Sequence, residues 1–178
     1  VMYTPLTSPD LRLDLSQLSF QNPDPRSSHL FAFPAQSNYS GVQHPLSLIP
    51  QAQAQGWRVL LDAAAYVPTN PLNLSEHQPD FVSVSFYKMF GYPTGLGALL
   101  IHRNALPLLE RPWFAGGTVD FTTVQHQHHL LSQGEAAFED GTINYLSIAA
   151  LPAGFALLTR AHQAGLRQRL KLLGEYFL

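Results

Sequence analysis

Lys88 stands just after the apolar run "FVSVSF" and is followed at once by "MFGYPTG". Only 10 of the 178 residues are Lys or Arg, so a cation placed where a strand ends calls for a reason. Ser85 lies three residues before it. The preceding strand-like run, "WRVLLDAAAY", carries Asp62 near its end, and the run before that, "HLFAFPA", passes into the polar turn "QSNYSG" with Ser37 and Asn38. Ligands of an open α/β sheet sit outside the carboxyl ends of its strands, so these side chains are to be read together. They supply an amine, a carboxylate, hydroxyls and an amide. A pyridoxal phosphate enzyme needs a lysine amine for a Schiff base, a carboxylate that keeps the pyridinium nitrogen protonated, and donors for the phosphate and ring hydroxyl. A carboxylate at the end of a hydrophobic strand is costly without a counter-charge, which a protonated ring nitrogen would provide. Taken singly, a strand-end lysine is ordinarily a solvated charge and a strand-end aspartate a turn former. Residue types and spacing alone reach an α/β domain with a strand-end site.

The elements that must position this set follow from the apolar pattern. "HLFAFPA", "WRVLLD", "FVSVSF" (81–86) and "LGALLIH" read as strands, joined by connections long enough to cross over. That pattern predicts a largely parallel α/β sheet with one late strand antiparallel. "VQHPLSLIPQAQAQG" has partial helical character, which Pro50 is expected to break or kink. "NLSEH" predicts one helical turn, and "NALPLLERP" a short helix with Asn104 as its N-cap. Before His29 the chain is rich in Ser, Pro, Asp, Asn and Gln, and reads as a variable surface segment (1–29) holding at most an edge strand in "LRLDLSQL". From Trp113 a loop-like stretch carries paired glycines and "QHQHH", and residues 145–178 show two amphipathic helices separated near Gly165.

Composition narrows the field. Hydrophobic residues make up 46% and the formal charge is −2, which fits a globular core and gives no electrostatic footprint for nucleic acid or an anionic membrane. There is no apolar run of membrane-spanning length and no signal-peptide pattern at the start, so the reading is a soluble cytoplasmic protein. With no cysteine, disulfides, thiolate metal sites and a cysteine nucleophile are excluded within these residues. His126, His128 and His129 lack an interleaved carboxylate or cysteine, so an exposed polar loop is the better reading than a metal site. The chain begins with Val and stops inside the helical pattern "LRQRLKLLGEYFL", as a fragment does.

The wording of "LLDAAAYVPTNPLNLSEHQPDFVSVSFYKMFGYPTGLGALLI" resembles the molybdenum cofactor sulfurases, a branch of the class V aminotransferase and cysteine desulfurase families. "FAFPAQSNYSGVQHPL", "RPWFAGGTV" and "FEDGTINYLSI" resemble the same branch in the same order, so the likeness runs from Phe31 to the C-terminus. It implies part of a fold-type I pyridoxal phosphate transferase large domain, with residues 30–144 its central part and 145–178 leading toward a small domain. It also implies roles for individual residues. Lys88 falls at the Schiff-base position, Ser85 and Tyr87 at phosphate-binding positions, and Asp62 at the position facing the pyridine nitrogen. Asn38 falls where the ring hydroxyl and substrate approach, and Gly141 and Thr142 match a glycine-threonine motif of the site. Cysteine desulfurases usually carry glutamine where Ala65 stands and histidine where Tyr87 stands; a tyrosine hydroxyl still donates to phosphate.

The activity implied is sulfur transfer from L-cysteine toward the molybdenum cofactor. An acceptor cysteine, a substrate-holding arginine and a cofactor-recognition domain are expected outside this chain, and a homodimer is expected of the fold type. Two other readings share Lys88 and Asp62: another class V enzyme, such as a cysteine desulfurase, selenocysteine lyase or aminotransferase, and a non-catalytic scaffold of the same fold.

Overall fold

The computed structural model describes every residue except Asn22, Pro23, Pro25 and Leu178. Four strands form one sheet in chain order: β1 (Leu30–Pro34), β2 (Arg58–Asp62), β3 (Phe81–Ser85) and β4 (Gly97–Ile101). β1, β2 and β3 run parallel and β4 returns antiparallel to β3, as the sequence pattern predicts. The connection from β1 to β2 carries the helix α1 (Leu48–Ala54), whereas β3 turns back into β4 through the single-turn helix α2 (Phe86–Phe90). A crossover needs a long connection and a reversal does not, so connection length sets the strand directions.

Alternation along β2 builds the core. Val59 and Leu61 are both fully buried, and they cluster with Phe33, Val82 and the α1 residues Leu48, Ile49 and Ala52. Full burial of each such aliphatic side chain contributes about 1.5–3 kcal/mol. α1 runs through Pro50 without a break. The sequence predicts an interruption there, but Pro50 falls in the first turn, where an N–H has no intrahelical acceptor to lose. Leu13, Leu18 and Phe20 of the first 29 residues pack against the core, with the Phe20 ring edge-on to Phe31 at 4.9 Å. "LRLDLSQL" forms no strand; its pairing is one bridge between Leu6 and Leu13.

Of two short helical expectations one holds: "NLSEH" makes a single helical turn, closed by His77 N–H donating to Asn73 O at 2.9 Å. "NALPLLERP" gives a 3-10 turn, Leu106–Leu108, flanked by Ala105 and not capped by Asn104. The Asn104 backbone N–H is instead directed to Nδ1 of His102 at 3.2 Å. Beyond it, the stretch expected as loop contains a small antiparallel hairpin, β5 (Val119–Thr122) and β6 (His129–Leu131). A short helix α3 (Tyr145–Ile148) precedes the two predicted helices, α4 (Leu151–Gln163) and α5 (Leu166–Phe177), which meet at Gly165. Among the described residues no helix is long and apolar enough to cross a membrane.

At the amino end of β3, Asp80 ties the sheet to α1. It is 5% exposed, and accepts from Arg58 Nη1 at 2.9 Å, from the Val59 N–H at 2.9 Å and from Gln53 Nε2 at 3.2 Å. Burial pushes its carboxyl up, but the Val59, Arg58 and Gln53 donors together hold it below the ordinary carboxylate range. A depressed native pKa stabilises the fold above the unfolded-state value, about 3.9, and that contribution disappears as pH falls through the native value. Asp80→Ala is expected to cost about 2–3 kcal/mol in urea unfolding at neutral pH, with the difference from wild type shrinking toward pH ~3. A difference independent of pH would contradict this account.

Candidate functional site at the carboxyl ends of the strands

Sequence alternation extends β3 to Phe86, yet the strand stops at Ser85 and Lys88 lies within α2. The chain changes course because the Phe86 N–H donates to Leu96 O at 3.1 Å across the reversal, while the Gly91 N–H closes the helical turn on Tyr87 O at 2.8 Å. Aromatic packing then fixes α2 against α4. Phe86 and Phe90 stack at 6.4 Å, and both meet the Phe155 ring edge-on, at 5.8 and 5.6 Å. Gly154 allows this approach, since a Cβ there would lie 2.5 Å from the Phe90 ring. So held, Lys88 is half-buried and its Nζ donates to Oδ1 of Asn38 at 2.9 Å, across 50 positions of sequence.

Asn38 depends on a turn that leaves β1. Ser37 N–H donates to Val42 O at 2.8 Å, Gly41 N–H to Ser37 O at 3.0 Å, and Ser40 N–H to Ser37 Oγ at 3.1 Å. The base of the turn is anchored by His44, which is 6% exposed. Its N–H donates to Ala35 O at 2.9 Å, and its Nδ1 lies 3.0 Å from Pro34 O. A carbonyl only accepts, so Nδ1 carries the proton. Nothing in the sequence singles out His44; it becomes visible only once the turn folds back on β1.

Asp62 ends β2 level with Pro34 of β1 and Ser83 of β3. Its carboxylate is directed by two donors on one oxygen: Ala64 N–H at 3.0 Å and Ser83 Oγ at 3.3 Å, both to Oδ1. Among the described residues Oδ2 has no hydrogen-bond partner. Ser83 was absent from the sequence-derived set, although the alternation "VSVS" places it on the same strand face as Ser85 and was the available signal. The Ser85 hydroxyl makes no capping bond to α2, and Tyr87 is 45% exposed. An amine, a carboxylate with one free oxygen, and uncommitted hydroxyls at one end of a sheet are the donor set that pyridoxal phosphate requires.

Other expected positions lie apart. Ala65 sits half-buried in the turn after Asp62, and an alanine offers no polar group to a ring oxygen. Gly141 and Thr142 are exposed on a separate segment before α3, and make no hydrogen bond to Lys88, Asp62 or Asn38 among the described residues. His126, His128 and His129 are exposed on the β5–β6 hairpin, with their alternation interrupted by the turn.

This arrangement is that of an open α/β sheet presenting a lysine beyond its carboxyl edge. The chain belongs to the aminotransferase class-V family, which it matches over residues 8–178. It is 48% identical over 171 residues to the molybdenum cofactor sulfurase of Homo sapiens, covering 90% of this chain and 19% of that protein. It is 43% identical over 145 residues to the molybdenum cofactor sulfurase of Caenorhabditis elegans, covering 82% and 20%. The chain thus spans about a fifth of the length of the curated relatives it matches. Among solved structures it resembles the apo cysteine desulfurase from Thermococcus onnurineus NA1, with a TM-score of 0.76 and 28% identity over 93% of this chain and 41% of that one. The cysteine desulfurase CsdA of Escherichia coli has the same fold, with a TM-score of 0.73 at 22% identity over 94% and 40%. The fold is therefore the expected fold-type I architecture with a mostly parallel sheet.

Gly154→Ala tests whether α4 sets the position of α2. The added methyl must displace the Phe90 ring, so a loss of about 1–3 kcal/mol is expected in denaturant melts, together with slower reaction of Lys88 with a soluble aldehyde. Unchanged reactivity at Lys88 would separate α4 from the site.

Proposed function

We propose that this chain carries the cofactor-anchoring part of a pyridoxal phosphate enzyme that takes sulfur from L-cysteine and passes it toward the molybdenum cofactor. The observation that carries the reading is the juxtaposition of Lys88 Nζ with Asn38 Oδ1 at 2.9 Å, one strand away from a carboxylate whose second oxygen is free. The names of the sulfurase relatives support the destination of the sulfur, and the cysteine desulfurase of like fold supports cysteine as its source. When bound, pyridoxal phosphate withdraws electrons from the substrate α-carbon and so weakens the carbon–sulfur bond beyond it.

The chain's own residues have distinct tasks. Lys88 supplies the amine that attaches the cofactor, and once displaced by substrate it is the base placed to take the α-proton. Asn38 holds that amine in place through its carbonyl oxygen. Asp62, oriented through Oδ1 by Ala64 and Ser83, offers Oδ2 to a ring N–H and keeps that nitrogen protonated. Ser85 and Tyr87 present hydroxyls to the phosphate. The reading calls for a thiol as the first acceptor of the sulfur, ahead of the molybdenum cofactor, and the 178 residues contain no cysteine, so that thiol lies outside them.

Borohydride reduction in the presence of pyridoxal phosphate is expected to fix the cofactor to Lys88, read as a modified peptide by mass spectrometry. Lys88→Ala should abolish the label and lower cysteine-dependent sulfur release in the complete protein by about a thousandfold or more. Asp62→Asn should keep the label but cut turnover by roughly a hundredfold. A wild-type protein that takes no label would refute the reading and favour a scaffold without cofactor.

A further inference from the structure

Thr142 is exposed on a segment far in sequence from Lys88, and neither its hydroxyl nor its N–H has a hydrogen-bond partner among the described residues. A free polar residue on a loop is ordinarily mobile, yet the chain just before this one is tied down by backbone contacts. The Gly141 N–H donates to Gly116 O at 2.6 Å. Gly117, at φ +86°, lies so close that a Cβ would stand 2.8 Å from Gly141 O. Two stretches of main chain thus touch without side chains between them, a contact that only glycine permits.

Arg111 closes this contact. Its side chain is 9% exposed, and its guanidinium reaches three points of the same neighbourhood. Nη2 lies 2.5 Å from Asp140 Oδ1, Nη1 donates to Ala137 O at 2.9 Å, and Nε donates to Trp113 O at 3.3 Å. One acceptor precedes the glycine pair 116–117 and two precede Gly141. A planar fork with donors on several edges can hold all three at once; an ammonium cannot match that geometry. An arginine buried to this degree needs a set of acceptors like this one.

We infer that Arg111 is a positioning residue for Thr142: it clamps the 137–141 segment onto the Gly116–Gly117 turn so that the free Thr142 donors are presented in one fixed place. The inference adds Thr142, which the family resemblance assigns to the cofactor site, to the residues of the proposed reading; the clamp itself does not depend on that assignment. Arg111 directs its donors to Asp140, Ala137 and Trp113. Its effect passes through the backbone of Asp140 and Gly141.

Two readouts test it, both on the complete protein. Hydrogen exchange reads the clamp without any cofactor. In Arg111→Ala the Gly141 amide should exchange at least tenfold faster while β2 and β3 amides remain protected, whereas Arg111→Lys should fall in between. Unchanged exchange at Gly141 in Arg111→Ala, or an Arg111→Lys protein identical to wild type, would overturn the clamp. Pyridoxal phosphate titration reads the consequence. Arg111→Ala and Thr142→Ala should each weaken binding by about tenfold, and the double variant should be no weaker than the single ones, because one acts through the other. Effects that multiply, or an Arg111→Ala protein that melts earlier but binds the cofactor as wild type does, would show a merely structural arginine. Failure of wild type to bind pyridoxal phosphate would instead refute the proposed function, and leave the clamp to be judged by exchange alone.

Discussion

The site depends on the parallel register of β1, β2 and β3. Backbone hydrogen bonds bring Pro34, Asp62 and Ser83 level, and the bonds from Ala35 N–H to Asp62 O and from Ala63 N–H to Ser83 O continue that alignment one step past the strand ends. Neighbouring strands lie only about 4.8 Å apart, so whatever follows each strand is forced into the same small region. A one-residue slip would turn Val59 and Leu61 out of the core and Asp62 to the opposite face. Burial of the apolar set therefore enforces the placement of the polar one.

The two ends of the sheet carry different kinds of polar group. At the amino end, Asp80 has its acceptors occupied by Arg58, Val59 and Gln53, which spends its charge on joining α1 to the strands. At the carboxyl end, Asp62 has one oxygen occupied and one free. A buried carboxylate with all its partners stabilises the fold; an exposed one with a single oriented oxygen remains available to a ligand. The contrast lies in hydrogen-bond saturation, since both residues are aspartates adjoining strands of the same sheet.

Much of this was legible beforehand. The strands announce themselves through alternating apolar residues, and Lys88, Asp62, Asn38 and Ser85 follow from reading what comes after each run. The antiparallel return of β4 follows from a short connection. What escaped was context-dependent. Pro50 looks like a breaker until its place in the first turn of α1 is known, and Asn104 looks like a cap although its backbone N–H is directed to His102. His44 and Ser83 carry no local signature of their own, because each acts only on a group that folding brings alongside it.

The sequence by itself determined the α/β class, the order of its strands and the chemical types gathered at their ends, because apolar periodicity and turn residues are local properties of the chain. Tertiary structure alone decided that Lys88 sits on a helix and not at a strand end, that its amine meets Asn38, and that Asp62 keeps Oδ2 free. It also decided that Arg111 reaches Asp140. Each of these rests on contacts between residues remote in sequence, and such contacts come into being only when hydrophobic burial and backbone pairing close the chain on itself.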